Sequence, residues 1–149
     1  MGKLRKILSM VAGVAALASV VLVVTPATAA ASPAPCGRRV AACVDLSAKK
    51  AWLMDDKGHV TYGAVRITTG KPGYRTPPGI FRVTWKDIDH WSQAYDAPMP
   101  YSVFFTNDGI AFHEGSLAVR SHGCVHLSRA AAKRFFNRLQ PGDTVAVVR

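Results

Sequence analysis

The stretch Ser121-His122-Gly123-Cys124-Val125 decides the reading of this chain, with Ile110-Ala111-Phe112-His113 before it and a helix-like segment from Ser128 after it. A cysteine between a glycine and an apolar residue, with histidines on both sides, has what a thiolate nucleophile needs. The thiolate attacks, not the thiol, and an unperturbed cysteine of pKa ~8.5 is mostly protonated at neutral pH. A nearby imidazole can take that proton and hold the resulting ion pair. Gly123 lets the backbone approach a substrate closely, so that N–H groups beside it can face a developing oxyanion. A buried structural cysteine is the commoner fate of a free thiol. Compartment and cysteine count decide between the two readings.

Outward from this motif the pattern is mostly β. Ile110 to His113 and Tyr101 to Thr106 flank Asn107-Asp108-Gly109, a strong hairpin signal. Upstream, Val40 to Leu46, Ala51 to Met54, His59 to Thr69 and Ile80 to Trp85 read as strands. Asp55-Asp56-Lys57-Gly58 reads as a turn, and Lys71 to Gly79 as a Pro/Gly loop. Downstream, Ser128 can N-cap a helix over Arg129 to Leu139, which Pro141-Gly142 stops. Thr144 to Val148 closes the chain as a buried strand. No internal repeat is visible.

The first thirty residues set the compartment. Lys3, Arg5 and Lys6 precede an uncharged, largely apolar run from Ile7 to Val24. Pro26 breaks the run, and the alanines from Ala27 to Ala31 offer a small-x-small cleavage site. Residues 1–30 are therefore expected to be a signal peptide, 31–39 a linker and 40–149 one domain. An uncleaved anchor is the competing reading, since eighteen residues lie at the lower edge of a bilayer span. Export to the cell envelope, with the membrane met only through the leader, is the expectation.

An oxidising compartment makes three cysteines informative. Six residues separate Cys36 from Cys43, a spacing that a hairpin or tight loop can close into a disulfide. Cys124 is then left over, as an intermolecular bridge or a reactive thiol. Its histidine-rich surroundings favour the thiol.

The net charge is +10, and about +7 without the leader's Lys3, Arg5 and Lys6. Such a charge suits an anionic envelope polymer. Nucleic acid is not expected, because no basic helix, zinc-finger spacing or aromatic RNA-binding motif occurs. Metal is not expected either. His113, Glu114, His122, Cys124 and His126 are crowded, yet the spacing lacks His-Glu-x-x-His and Cys-x-x-Cys.

Together these segments resemble the L,D-transpeptidase catalytic domain (the YkuD-like fold), cysteine enzymes that cross-link bacterial peptidoglycan. Thr69-Gly70 and Thr76-Pro77-Pro78-Gly79-Ile80-Phe81 resemble the family's Thr-Pro-x-Gly turn leading into a strand. Met99-Pro100-Tyr101 and the run to His113 resemble its central strand pair, and Ser121 to Val125 matches its nucleophile motif. The helix from Ser128 and the tail Pro141-Gly142-Asp143-Thr144-Val145 also fit. A sortase, the nearest rival enzyme, carries a Thr-Leu-x-Thr-Cys strand that the flanks of Cys124 do not match.

The resemblance implies a mainly β, sandwich-like fold with one helix after the cysteine, no cofactor and a monomer. It implies Cys124 as nucleophile and His113 as general acid/base. Ser121, His122 and Gly123 would shape the loop and oxyanion site, and His126 and Tyr101 would meet substrate. The substrate would be a peptidoglycan tetrapeptide stem, whose acyl group passes to a neighbouring amine. An L,D-carboxypeptidase using water and a non-catalytic wall-binding module are the alternatives. Two departures stand out: only seven residues separate His113 from Ser121, and His126 occupies a position where the family usually has Asn or Arg. Tyr74, Trp85, Trp91 and Tyr101 are candidates for the cleft or the core, while His59 and His90 read as surface or packing residues.

Overall fold

The computed structural model describes residues 33–37 and 39–149. The expected signal peptide, 1–30, lies outside the described residues. Nine strands and one helix follow in order: β1 Ala42–Asp45, β2 Lys50–Met54, β3 Val60–Arg66, β4 Gly79–Arg82, β5 Trp85–Ser92, β6 Ala97–Phe104, β7 Ala111–Glu114, β8 Val125–Leu127, α1 Arg129–Arg138 and β9 Thr144–Val148.

They form a five-stranded sheet, ordered β3-β2-β1-β9-β4, and a four-stranded sheet, ordered β5-β6-β7-β8. In the first sheet β1 runs antiparallel to β2 and parallel to β9. That parallel pair takes apolar residues on both faces, as alternation along the strands requires. Val44, Val145 and Val147 enter the main core, while Cys43 and Ala146 face a smaller cluster with Cys36, Trp52 and Met54. The Cys36–Cys43 disulfide closes that second face. The segment read as a linker is thus partly docked, with Cys36 buried and Ala34 packed beside it.

The main core lies between the sheets and is filled by Leu53, Val103, Phe105, Phe112, Val125 and Phe135. The helix packs on β6, β7 and β8. Ser128 caps it, its Oγ accepting from Ala131 N at 3.3 Å, a cap worth about 1 kcal/mol. Ala131, Ala132 and Phe135 form its buried face, and Gly142, at φ +94°, follows its end.

Three elements differ from the sequence reading. The strand expected over Ile80–Trp85 is two strands in two sheets. β4 pairs with β9, then the chain crosses at Val83 and Thr84, whose N–H groups donate to Asp143 O and Phe104 O. β5 and the first half of β6 carry no clean apolar alternation: β5 is an edge strand rich in Asp, Trp and His, and Pro98 and Pro100 sit in β6 opposite Trp91 and Asp89. Finally, the expected strand His59–Thr69 leaves the first sheet after Arg66. Its continuation bridges the other sheet's motif, through Thr68 with His126 and Gly70 with Ser121.

Candidate active site

β7 and β8 run parallel, with Phe112 beside Val125 and His113 beside His126. Side chains alternate along strands, so Phe112 and Val125 enter the core while His113 and His126 share the opposite face. Cys124, one residue before β8, falls on that face too and packs against Met99, Phe104 and Ala111. The parity of two short strands therefore places thiol and imidazole together. Cys124, His113, His122, Ser121 and His126 line one cavity of about 370 Å³.

His113 is 6% exposed, and its Nδ1 donates to the Glu114 carbonyl at 2.7 Å. That bond fixes the neutral tautomer with the proton on Nδ1 and the lone pair on Nε2. Burial pushes the imidazole down to about 4, helped by neighbouring His126 and opposed by the Glu114 bond. The Cys124 thiol is raised above its ordinary value by burial, opposed by a backbone bond from Ala111. Both shifts favour neutral groups. Both work against the expected thiolate–imidazolium pair, and Cys124 Sγ itself lies 3.9 Å from the Gly109 carbonyl.

The nucleophile loop is built from buried hydrogen bonds. Ser121 Oγ donates to Cys124 O at 2.6 Å and accepts from Gly123 N at 3.0 Å. Thr76 Oγ1 donates to Gly123 O at 2.6 Å and accepts from Gly70 N at 3.1 Å. Gly123 has φ +124°, and a Cβ there would lie 3.3 Å from the Ile110 side chain. The N–H of Gly123, expected to face an oxyanion, is instead turned to Ser121. Gly123 and Ser121 serve the loop's shape. His122 stacks on Tyr95 at 4.3 Å and meets Tyr74 edge-on at 4.9 Å, so its ring is a wall between two tyrosines.

His126 clasps the short segment between β7 and Ser121. Its Nδ1 lies 3.1 Å from the Ser116 carbonyl and 3.3 Å from Thr68 Oγ1, which itself donates to Ser116 O at 2.6 Å. Its ring meets that of His113 edge-on at 4.8 Å. Burial lowers its pKa, opposed by bonds to the Ser116 and Val119 carbonyls. The two positions that the resemblance singled out thus meet in one feature: His126 holds the short segment between His113 and Ser121.

Tyr101 is placed elsewhere. At φ +59° it turns its ring to Phe136, 6.0 Å away, and under the Arg129 guanidinium, on the helix side of the sheet. Trp85 stacks on Phe104 at 4.1 Å beside His90, at the edge of the apolar cluster under Cys124. Tyr95, Met99 and Arg120 line the cavity but escaped the sequence reading. Tyr95 follows the unread strand β5, and Arg120 immediately precedes the motif. For Arg120 that adjacency is the signal that was available, whereas nothing local in the sequence relates Tyr95 to the motif.

A thiol and a tautomer-fixed imidazole on one sheet face, above a sandwich core, define a cysteine–histidine site on a β scaffold. The model of the L,D-transpeptidase catalytic domain (YkuD) matches residues 39–147, and the chain belongs to that family. A probable L,D-transpeptidase 3 of Mycobacterium tuberculosis H37Rv is 30% identical over 104 residues, covering 57% of this chain and 38% of the relative. The crystal structure of an L,D-transpeptidase from Stackebrandtia nassauensis is 34% identical with a TM-score of 0.68, covering 72% of this chain and 54% of that one. LdtMt1, an L,D-transpeptidase solved in complex with imipenem, is 25% identical with a TM-score of 0.66, covering 70% and 56%. The chain thus spans less than two thirds of each of these relatives.

Proposed function

We propose that this protein is an exported L,D-transpeptidase that acylates Cys124 with a peptidoglycan tetrapeptide stem. The observation that carries the reading is that Cys124 and His113 line one cavity, with His113 Nδ1 held by Glu114 O. The thiol attacks the carbonyl that follows the L-centre of the stem's diamino acid. Nε2 of His113 takes the Sγ proton as the C–S bond forms, in keeping with burial that disfavours the charged form of each group. The imidazolium then returns a proton to the departing D-alanine amine, leaving a thioester. A neighbouring stem's amine attacks that thioester, its proton passing to Nε2, and the thiol is regenerated. General-base help of this kind is worth about 10²–10⁴-fold.

The leader-like residues 1–30 support export to the envelope, where the stem peptides lie. A relative binds imipenem, which makes that lactam the natural probe here. Opening of the lactam by Cys124 should add one inhibitor mass, on the peptide containing Cys124. Incubation with a disaccharide-tetrapeptide should then yield a cross-linked product with loss of D-alanine. Tripeptide alone would mean water is the acceptor and the enzyme an L,D-carboxypeptidase. No adduct and no product would leave a wall-binding module as the better reading.

A further inference from the structure

A second cavity, of about 360 Å³, opens behind the nucleophile loop. Arg75, Arg120, Arg149, Ser47, Thr69 and Gly70 contribute to its lining, and no Asp or Glu side chain does. The three arginines come from separate parts of the chain: the Pro/Gly loop, the residue before Ser121 and the end of β9. The ion pairs among the described residues are His59–Asp55, His90–Asp87, Arg129–Glu114 and Arg138–Asp143. None of the three arginines shares in them. Asp45, in the neighbouring turn, directs Oδ1 to the backbone and hydroxyl of Ser47 and to Ala48 N.

One of the guanidiniums is already fixed. Arg120 Nη2 donates to Gly70 O at 2.7 Å, leaving Nη1 and Nε for a ligand. Its backbone neighbour is pinned by Ser121 N to Thr69 O at 3.2 Å and Lys71 N to Ser121 O at 2.9 Å. Three exposed arginines line one cavity that holds no Asp or Glu side chain, so a bound anion there meets attraction from several like charges at once. Guanidinium forks match the paired oxygens of phosphate and carboxylate, better than an ammonium does.

We propose that Arg75, Arg120 and Arg149 form a binding site for an oxyanion, a phosphate or carboxylate group borne by an anionic polymer of the envelope. The site takes the envelope location from the proposed function but needs no chemistry at Cys124. Arg120 borders both cavities. A polymer held there lies against the back of the nucleophile loop and retains the enzyme beside its substrate.

The test is titration of the purified protein with fluorescent poly(glycerol phosphate) and, separately, poly-glutamate of matched charge, at two salt concentrations. Arg75→Gln with Arg149→Gln should weaken binding to at least one polymer by about tenfold or more, since charge-assisted hydrogen bonds are lost. A control pair, Arg82→Gln with Arg134→Gln, removes the same charge from positions outside the cavity. Phosphate-selective, carboxylate-selective or shared loss each supports the pocket and names its anion. Equal loss in pocket and control pairs, or loss in neither, overturns it. Imipenem acylation of both pairs should stay at the wild-type rate. A protein that binds polymer normally but never acylates would instead refute the proposed reaction and leave this site standing.

Discussion

The hydroxyl of Thr76 donates to the carbonyl of Gly123 at 2.6 Å, joining the Thr-Pro-x-Gly turn to the nucleophile loop. Thr76 is 3% exposed, and its oxygen also accepts from Gly70 N. One side chain therefore satisfies backbone groups from two loops that approach each other on the concealed side of Cys124.

Thr76→Val keeps the volume and removes both bonds. A buried carbonyl and a buried N–H are then unmet, which costs about 1–3 kcal/mol for each group left without a partner. Urea unfolding should show that loss, and imipenem acylation should slow because Gly123 no longer has a fixed position. Thr76→Ser should recover most of both. Wild-type acylation by the valine variant would mean that Ser121 alone holds the loop.

Acid should destabilise the fold in a window set by His113. The unfolded chain takes a proton there near pH 6.5, whereas the folded chain refuses it until about 4. The contribution is therefore complete above pH 6.5 and is lost as pH falls to about 4, roughly 3 kcal/mol in all. The lowered pKa of His126 acts in the same direction. Asp45 and Asp55, held low by backbone bonds, lose their contributions only below about 3.8. Urea midpoints at about pH 7 and about pH 4.5 should differ in the wild type and differ much less in His113→Gln. An unchanged difference would place the acid sensitivity elsewhere.

Cys36 and Cys43 are bridged, and Cys124 is the free thiol among the described residues. The protein denatured without reductant should bind one equivalent of a thiol reagent, on Cys124. Opening the bridge, or Cys36→Ser with Cys43→Ser, should cost about 2–3 kcal/mol on the chain-entropy account. Acylation should persist, because the bridge closes the far face of the first sheet. Three reactive thiols in protein recovered from outside the cell would dismiss the bridge.

Much of this was legible because the signals are local. Asn107-Asp108-Gly109 makes its hairpin, with Phe104 opposite Ala111, and Ser128 caps the helix where expected. The odd cysteine pointed to Cys124 by simple arithmetic. The nine-strand architecture was less legible where prolines and a left-handed Tyr101 hide β6, and where β5 mixes polar and aromatic residues without alternation at an exposed edge. The Thr76–Gly123 bond joins positions too far apart for periodicity to relate them. Ionisation was not legible for a physical reason: the motif shows a histidine near a cysteine but not the burial that raises the thiol and lowers the imidazole.

The clasp of His126 on the short loop gives the last prediction. Its ring packs against the backbone of Gly115, where an added Cβ would lie 2.6 Å from Cγ and Cδ2. Gly115→Ala alone should therefore push the ring away, loosen the Ser116 contact and slow acylation. His126→Asn should leave a working enzyme, because Cys124 and His113 keep their places. Amide exchange over residues 115–120 should nevertheless quicken, with Ser116 and Val119 carbonyls released. Removing the neighbouring imidazole also removes one cause that lowers His113, so the acid limb of acylation should move to higher pH. Combining both changes discriminates the mechanism. With no ring to strike, Gly115→Ala should cost little in the His126→Asn background, a coupling of about 0.5–3 kcal/mol. Additive losses would show that Gly115 matters for its own backbone, and the clasp would then be no more than a contact. His113→Ala, by contrast, should nearly abolish acylation in either background. If His126→Asn did the same, His126 rather than His113 would be the base.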